Sequence, residues 1–102
     1  MIKGYKDLKV WQLAIDLVDQ IYDVTSAFPS DEKFGLSSQI KRSAVSIPSN
    51  IAKGSLAEME TQLIIANRRN FISNTVFNKL SETADRIDKM LFSLRNSLKQ
   101  KV

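Results

Sequence analysis

Residues 46–55 read SIPSNIAKGS. The stretch holds a proline, three serines, an asparagine and a glycine, all poor residues for a helix interior. Yet Ile47, Ile51 and Ala52 keep a helical apolar beat through it. Read as one loop, it would break the middle of the chain. Read as a helix passing through Pro48 and then a stop, it divides the chain into four helices. Pro48 removes a donor and crowds the carbonyl four residues back, at Ala44. The beat nevertheless predicts that the second helix continues through Pro48 with a kink, with Ser46 or Ser49 helping to satisfy the disturbed backbone.

Working outward, Leu36, Ile40, Ala44, Ile47 and Ile51 step by four, four, three and four. Ser30 or Asp31 is the expected cap of this second helix. Upstream, Trp11, Ala14, Leu17, Val18, Ile21, Val24 and Phe28 predict a first helix over 7–28, with Asp7 at its start and Pro29 as its stop. Downstream, Gly54 suits a left-handed helix end, and Ser55 to Glu58 matches a capping box. Leu56, Met59, Leu63 and Ala66 then carry a third helix, and Ile64 and Ile65 widen its apolar face. Asn70 suits a left-handed stop, and Ser73 or Asn74 opens a fourth helix. Its stripe is Val76, Leu80, Thr83, Ile87, Met90, Leu94 and Leu98. The pattern predicts one all-α domain over residues 1–102, an antiparallel up-down four-helix bundle.

Composition narrows the chemistry. The chain has 102 residues, no cysteine and no histidine. That argues against disulfides, thiolate chemistry, most zinc sites and imidazole catalysis, and no cofactor is expected. Glu58 and Glu60 point about 200° apart on a helix, so they do not form a catalytic pair. Asp16, Asp19 and Asp23 share a face that reads as a solvated helix side. No glycine-rich phosphate loop or nucleophile elbow occurs. A non-enzymatic protein is therefore expected. MIKGYKDLKVWQ lacks the apolar core of a signal peptide, and no run reaches the eighteen or so apolar residues of a membrane span. A cytoplasmic location without membrane contact is the expectation.

The net charge is +4. Basic residues gather at Lys3, Lys6 and Lys9, at Lys41 and Arg42, at Arg68 and Arg69, and between Arg86 and Lys101. Solubility and helix-end charge account for such groups in many proteins. As phosphate contacts, Lys41, Arg42, Arg68 and Arg69 are the expected residues. Trp11 lies on the apolar stripe, which favours a core or subunit contact over base stacking. Tyr5 precedes the first helix and could cover a bundle end. An apolar face that includes Trp11, Tyr22 and Ile64, beside an acidic first helix, points to self-association.

The stretches DLKVWQLAIDLVDQIYDVTSAFPSDEKFGLSSQI, KRSAVSIPSNIA and KGSLAEMETQLIIA together resemble the four-helix-bundle family named for proteins encoded in intervening sequences of bacterial 23S rRNA genes. The resemblance covers most of the chain. It implies a bundle that assembles into a ring, a homopentamer, with no established function and no known catalytic residues. A related branch comprises accessory proteins of diversity-generating retroelements, basic pentameric barrels that contact nucleic acid and a reverse transcriptase. By that likeness the partners would be RNA or DNA, a reverse transcriptase or another protein, and further copies of the chain. A nucleic-acid-associated scaffold or accessory protein is the leading expectation, and a protein-interaction module without nucleic acid is the alternative. The chain departs from the family at SIPSNIAKGS. Relatives follow SNIA with a glutamate-glycine turn and several helical turns, whereas here SNIA passes directly into KGSLAE. The front of the third helix thus looks absent. A natural shortening, a trimmed chain and an omitted segment would each produce that join. Relatives also tend to have leucine-glycine-tyrosine where this chain has Arg69-Asn70-Phe71.

Overall fold

A computed structural model describes residues 8–50 and 53–100. It contains four α-helices: α1 Lys9–Thr25, α2 Leu36–Asn50, α3 Lys53–Arg68 and α4 Asn74–Gln100. A short 3-10 turn, Ser30–Glu32, lies between α1 and α2. Each helix packs against the two beside it in the cycle α1, α2, α3, α4, and among the described residues the diagonal pairs do not bring their backbones close. Contacts fix the register across three of the four seams. Tyr22 on α1 faces Lys41 on α2, Glu60 on α3 faces Asp85 and Asp88 on α4, and Leu8 to Val10 lie beside Met90 to Leu94. Early residues of α1 thus meet late residues of α4, so these two helices run antiparallel, and the four helices pack as the expected all-α bundle.

The core is a continuous apolar cluster. Leu17, Ile21, Ile40, Ile47, Leu56, Met59, Leu63 and Ile87 are fully buried. The stripe expected for α3 holds, as does that of α2 from Ile40 to Ile47, while Leu36 is half-buried and Ile51 lies outside the described residues. On α4 the stripe is rotated. Leu80, Ala84, Ile87 and Leu91 are buried, whereas Thr83, Met90 and Leu94 are only half-buried. A helix flanked by two neighbours buries an arc wider than one residue per turn, so Ala84 and Leu91 complete it. The side chain of Leu98 lies outside those described. Ile64 and Ile65 do not widen the buried face of α3, because both are substantially exposed.

Helix ends hold most of the departures from expectation. Asp7 lies outside the described residues, and the N-cap of α1 is the extended Leu8, with no side-chain cap bond. α1 ends at Thr25, three residues before Phe28. There the N–H groups of Ala27 and Phe28 turn back to Val24 and Thr25, and the Thr25 hydroxyl donates to the Ile21 carbonyl at 2.7 Å. Pro29 disfavours α geometry at Phe28, and leaving the helix lets that ring pack on Phe71. Neither Ser30 nor Asp31 caps α2, since both are spent in the 3-10 turn. Glu32 does so instead. Its carboxylate accepts the Leu36 N–H at 3.1 Å, a site where negative charge also complements the helix dipole. A Cβ at Gly35 would stand 2.9 Å from that carboxylate oxygen, so the glycine leaves room for the cap.

α2 continues through Pro48, which is buried. The Ser46 and Ser49 hydroxyls donate to the carbonyls of Arg42 at 2.9 Å and Val45 at 2.8 Å. These flank the Ala44 carbonyl, which Pro48 leaves without its usual ladder partner. Gly54 and Ser55 are not a stop and a cap. α3 already begins at Lys53, so both lie in its first turn. The link between α2 and α3, and with it the continuity from Ala52 to Gly54, falls on residues outside the described ones.

The end of α3 matches the sequence reading. Asn70 has φ 63°. Its N–H donates to the Asn67 carbonyl at 3.0 Å, and the Phe71 N–H to the Ala66 carbonyl at 2.9 Å. This bond pair is the Schellman pattern. Ser73 then caps α4 by accepting the Val76 N–H at 3.1 Å. Replacing Asn70 by alanine places a Cβ residue without a local polar group in left-handed backbone. Asn70→Ala should therefore lower unfolding stability by about 1 kcal/mol, while Asn70→Gly keeps or raises it, as read by urea titration.

Candidate nucleic-acid interface

The α1/α2 seam carries a shallow groove of about 520 Å³, lined by Tyr22, Lys33, Phe34, Lys41, Arg42 and Val45, with Ser38 and Ser46 on its wall. Each part arrives for a local reason. Tyr22 and Lys41 lie on facing turns of antiparallel helices. Lys33 and Phe34 sit in the link, between the 3-10 turn and the Glu32 cap of α2. The Lys41 ammonium stands 5.2 Å from the centre of the Tyr22 ring, and that of Lys33 stands 5.5 Å from the centre of the Phe34 ring. Exposed cation–π pairs of this kind are worth about 0.5–1 kcal/mol each. They hold the ammoniums loosely over the rings and leave their charge uncancelled.

Among the described residues the only ion pair is Lys89 with Asp85, at 3.0 Å on the exposed side of α4. The three cations of the groove thus have no carboxylate partner. A second concavity, of about 260 Å³, shares Lys33 and Lys41 with the first. Its remaining lining includes the hydroxyl residues Thr25, Ser26, Ser30 and Ser37, together with Phe28 and Pro29. The two lysines therefore divide an aromatic hollow from a hydroxyl-bearing one.

Of the four expected contact residues, the fold brings Lys41 and Arg42 into this groove and leaves Arg68 and Arg69 elsewhere. Lys41 is half-buried and Arg42 exposed. Arg68 and Arg69 are exposed at the end of α3, outside both concavities. Lys33, Tyr22 and Phe34 were not singled out by charge clustering. Lys33 stands alone in sequence, and only the path of the link brings it to Lys41. Phe34 carried a signal of its own: an aromatic residue in a serine- and charge-rich link lies off every apolar stripe. Trp11 is half-buried, and Tyr5 lies outside the described residues.

The opposite seam brings three carboxylates together, one of them paired with Lys89. Glu60 on α3 faces Asp88 and Asp85 on α4. Partial burial first, and then these two like charges, raise its carboxyl above the usual carboxylate range. Asp16, Asp19 and Asp23 are exposed along α1. Among the described residues no three acidic side chains are placed to hold a metal ion, and no helix is long and apolar enough to cross a membrane.

The family model for the 23S rRNA-intervening sequence protein matches residues 6–55 and 50–93. The chain belongs to the 23S rRNA-intervening sequence protein family. The two matched pieces overlap at 50–55, inside the stretch SIPSNIAKGS. Among curated proteins none matches the chain. The family description assigns no chemistry to particular residues, so the groove stands on its own geometry.

The raised Glu60 carboxyl has a defined effect on stability. Its ionised form is disfavoured in the folded chain, so at neutral pH it opposes folding. That penalty fades as pH falls through the folded pKa and is gone below the unfolded value of about 4.3. Glu60→Gln should therefore raise stability at pH 7 by up to about 1 kcal/mol, the scale of exposed charge interactions. The gain should disappear in mild acid, as read by denaturant titration across pH.

Proposed function

We propose that this protein is a non-enzymatic, oligomeric four-helix bundle that serves in the cytoplasm as a nucleic-acid-associated scaffold or accessory protein. It grips the phosphate backbone through Lys41 and Arg42, joined by Lys33, with Arg68 and Arg69 as an outlying contact. One observation carries this reading: three cations without carboxylate partners line a single groove. A phosphate chain entering the groove meets no competing carboxylate there, and each contact releases condensed counterions. Membership of a family encoded in rRNA-gene intervening sequences is consistent with a nucleic-acid setting but assigns no binding.

A second reading has its own support. Ile64 and Ile65 on α3, and Phe92 on α4, are large apolar side chains left in solvent. Such surfaces suit a protein partner or a further copy of the chain. In this reading the protein is an interaction module without nucleic-acid binding, and a partner retained after nuclease treatment of a lysate would favour it.

Binding of RNA and DNA measured at low and at higher salt tests the first reading. Affinity should fall steeply with salt. A Lys41→Gln, Arg42→Gln double variant should lose at least tenfold in low-salt affinity and flatten the salt slope by roughly 0.7–0.9 per contact removed. The Arg68→Gln, Arg69→Gln pair should lose less. Absence of any binding at low salt would exclude the role.

A further inference from the structure

The groove and its neighbour have a division that matches a particular ligand. On one side of Lys33 and Lys41 lie the Tyr22 and Phe34 rings, and on the other lie the hydroxyls of Ser30 and Ser37. A nucleotide divides the same way, into a flat apolar base and an anionic phosphate. Phe34 is 89% exposed and Tyr22 is 48% exposed. Neither ring is needed by the core. The backbone on either side of Phe34 is hydrogen-bonded, because the Gly35 N–H donates to the Glu32 carbonyl at 3.0 Å and the Leu36 N–H to the Glu32 carboxylate. A solvent-exposed ring on a fixed turn, flanked by unpaired lysines, costs solubility and contributes little to folding.

From this we infer that the groove binds unpaired nucleotides, stacking a base on Phe34 while Lys33 and Lys41 take the adjoining phosphate. The inference rests on the phosphate-backbone reading above and adds strand selectivity to it. Bases in a duplex present their faces to each other, so only a single strand, a loop or a frayed end can offer one to Phe34. Both lysines are long enough to exchange their ring contacts for a phosphate oxygen, which frees a ring face as the strand arrives. Tyr22 forms the far wall and keeps Lys41 over the groove in the free protein.

The test uses fluorescence anisotropy at low salt with three labelled probes: a short oligouridylate, an RNA hairpin duplex, and an abasic strand with the same number of phosphates. The oligouridylate should bind tightest. Phe34→Ala and Phe34→Leu should weaken its binding by about five- to a hundredfold, the range of one base–aromatic stack, and leave the abasic strand unaffected. Phe34→Trp should restore it. Because Phe34 contributes nothing to the core, its variants should keep the wild-type circular dichroism melt. If Phe34→Ala binds oligouridylate like wild type, or the duplex or abasic strand binds as tightly as oligouridylate, stacking is overturned and the phosphate reading survives. If no probe binds at low salt, both readings fall. A drop in the sedimentation coefficient of Phe34→Ala would show that Phe34 seats another copy of the chain, and would also overturn the inference.

Discussion

Phe28 packs on Phe71 with ring centroids 5.3 Å apart, and much of the bundle's usable surface depends on that contact. It ties the link after α1 to the turn after α3 at one pole. To reach it the chain leaves α1 at Thr25, well before Pro29 obliges it to. The residues released from the helix become a link with its own 3-10 turn and its own cap. That link carries Lys33 and Phe34 to the wall of the α1/α2 groove. A helix continued to Phe28 would have spent those residues differently and pointed Phe28 elsewhere.

Charge is sorted by seam as well as by helix. The α1/α2 seam gathers Lys33, Lys41 and Arg42, while the α3/α4 seam gathers Glu60, Asp85 and Asp88. In a cyclic bundle these seams are on opposite sides. A net charge of +4 is modest, but three of its cations share one groove without a carboxylate partner. That groove also holds the most exposed ring in the described chain.

The two matches to the family model overlap within SIPSNIAKGS, the stretch that closes α2 and opens α3. α3 has 16 residues and α4 has 27, so α4 is longer by about three turns. With Glu60 beside Asp85 and Asp88, the start of α3 lies alongside the last few turns of α4 and does not extend past them. The bundle is accordingly long and thin, 48 Å by 20 Å by 18 Å, with its length set by α4. Phe92, in the later part of α4, is 61% exposed.

Hydrophobic spacing determined four helices, the passage of α2 through Pro48 and most of the core of α2 and α3, and residue type determined the left-handed Asn70. These are local properties: periodicity and a backbone preference act within a few residues. Helix ends were less legible. Ser55 and Glu58 spell a capping box, yet Ser55 lies inside α3, because the helix begins two residues earlier and a motif of that length cannot register where the preceding turn falls. Lys41 and Arg42 were legible as a basic pair, but their companions were not. The neighbours Lys33 and Phe34 are distant in sequence from Tyr22 and from Lys41, and the path of the link brings them into one groove. Which charges share a groove depends on how helices are turned against one another, and that is decided by packing across the whole bundle.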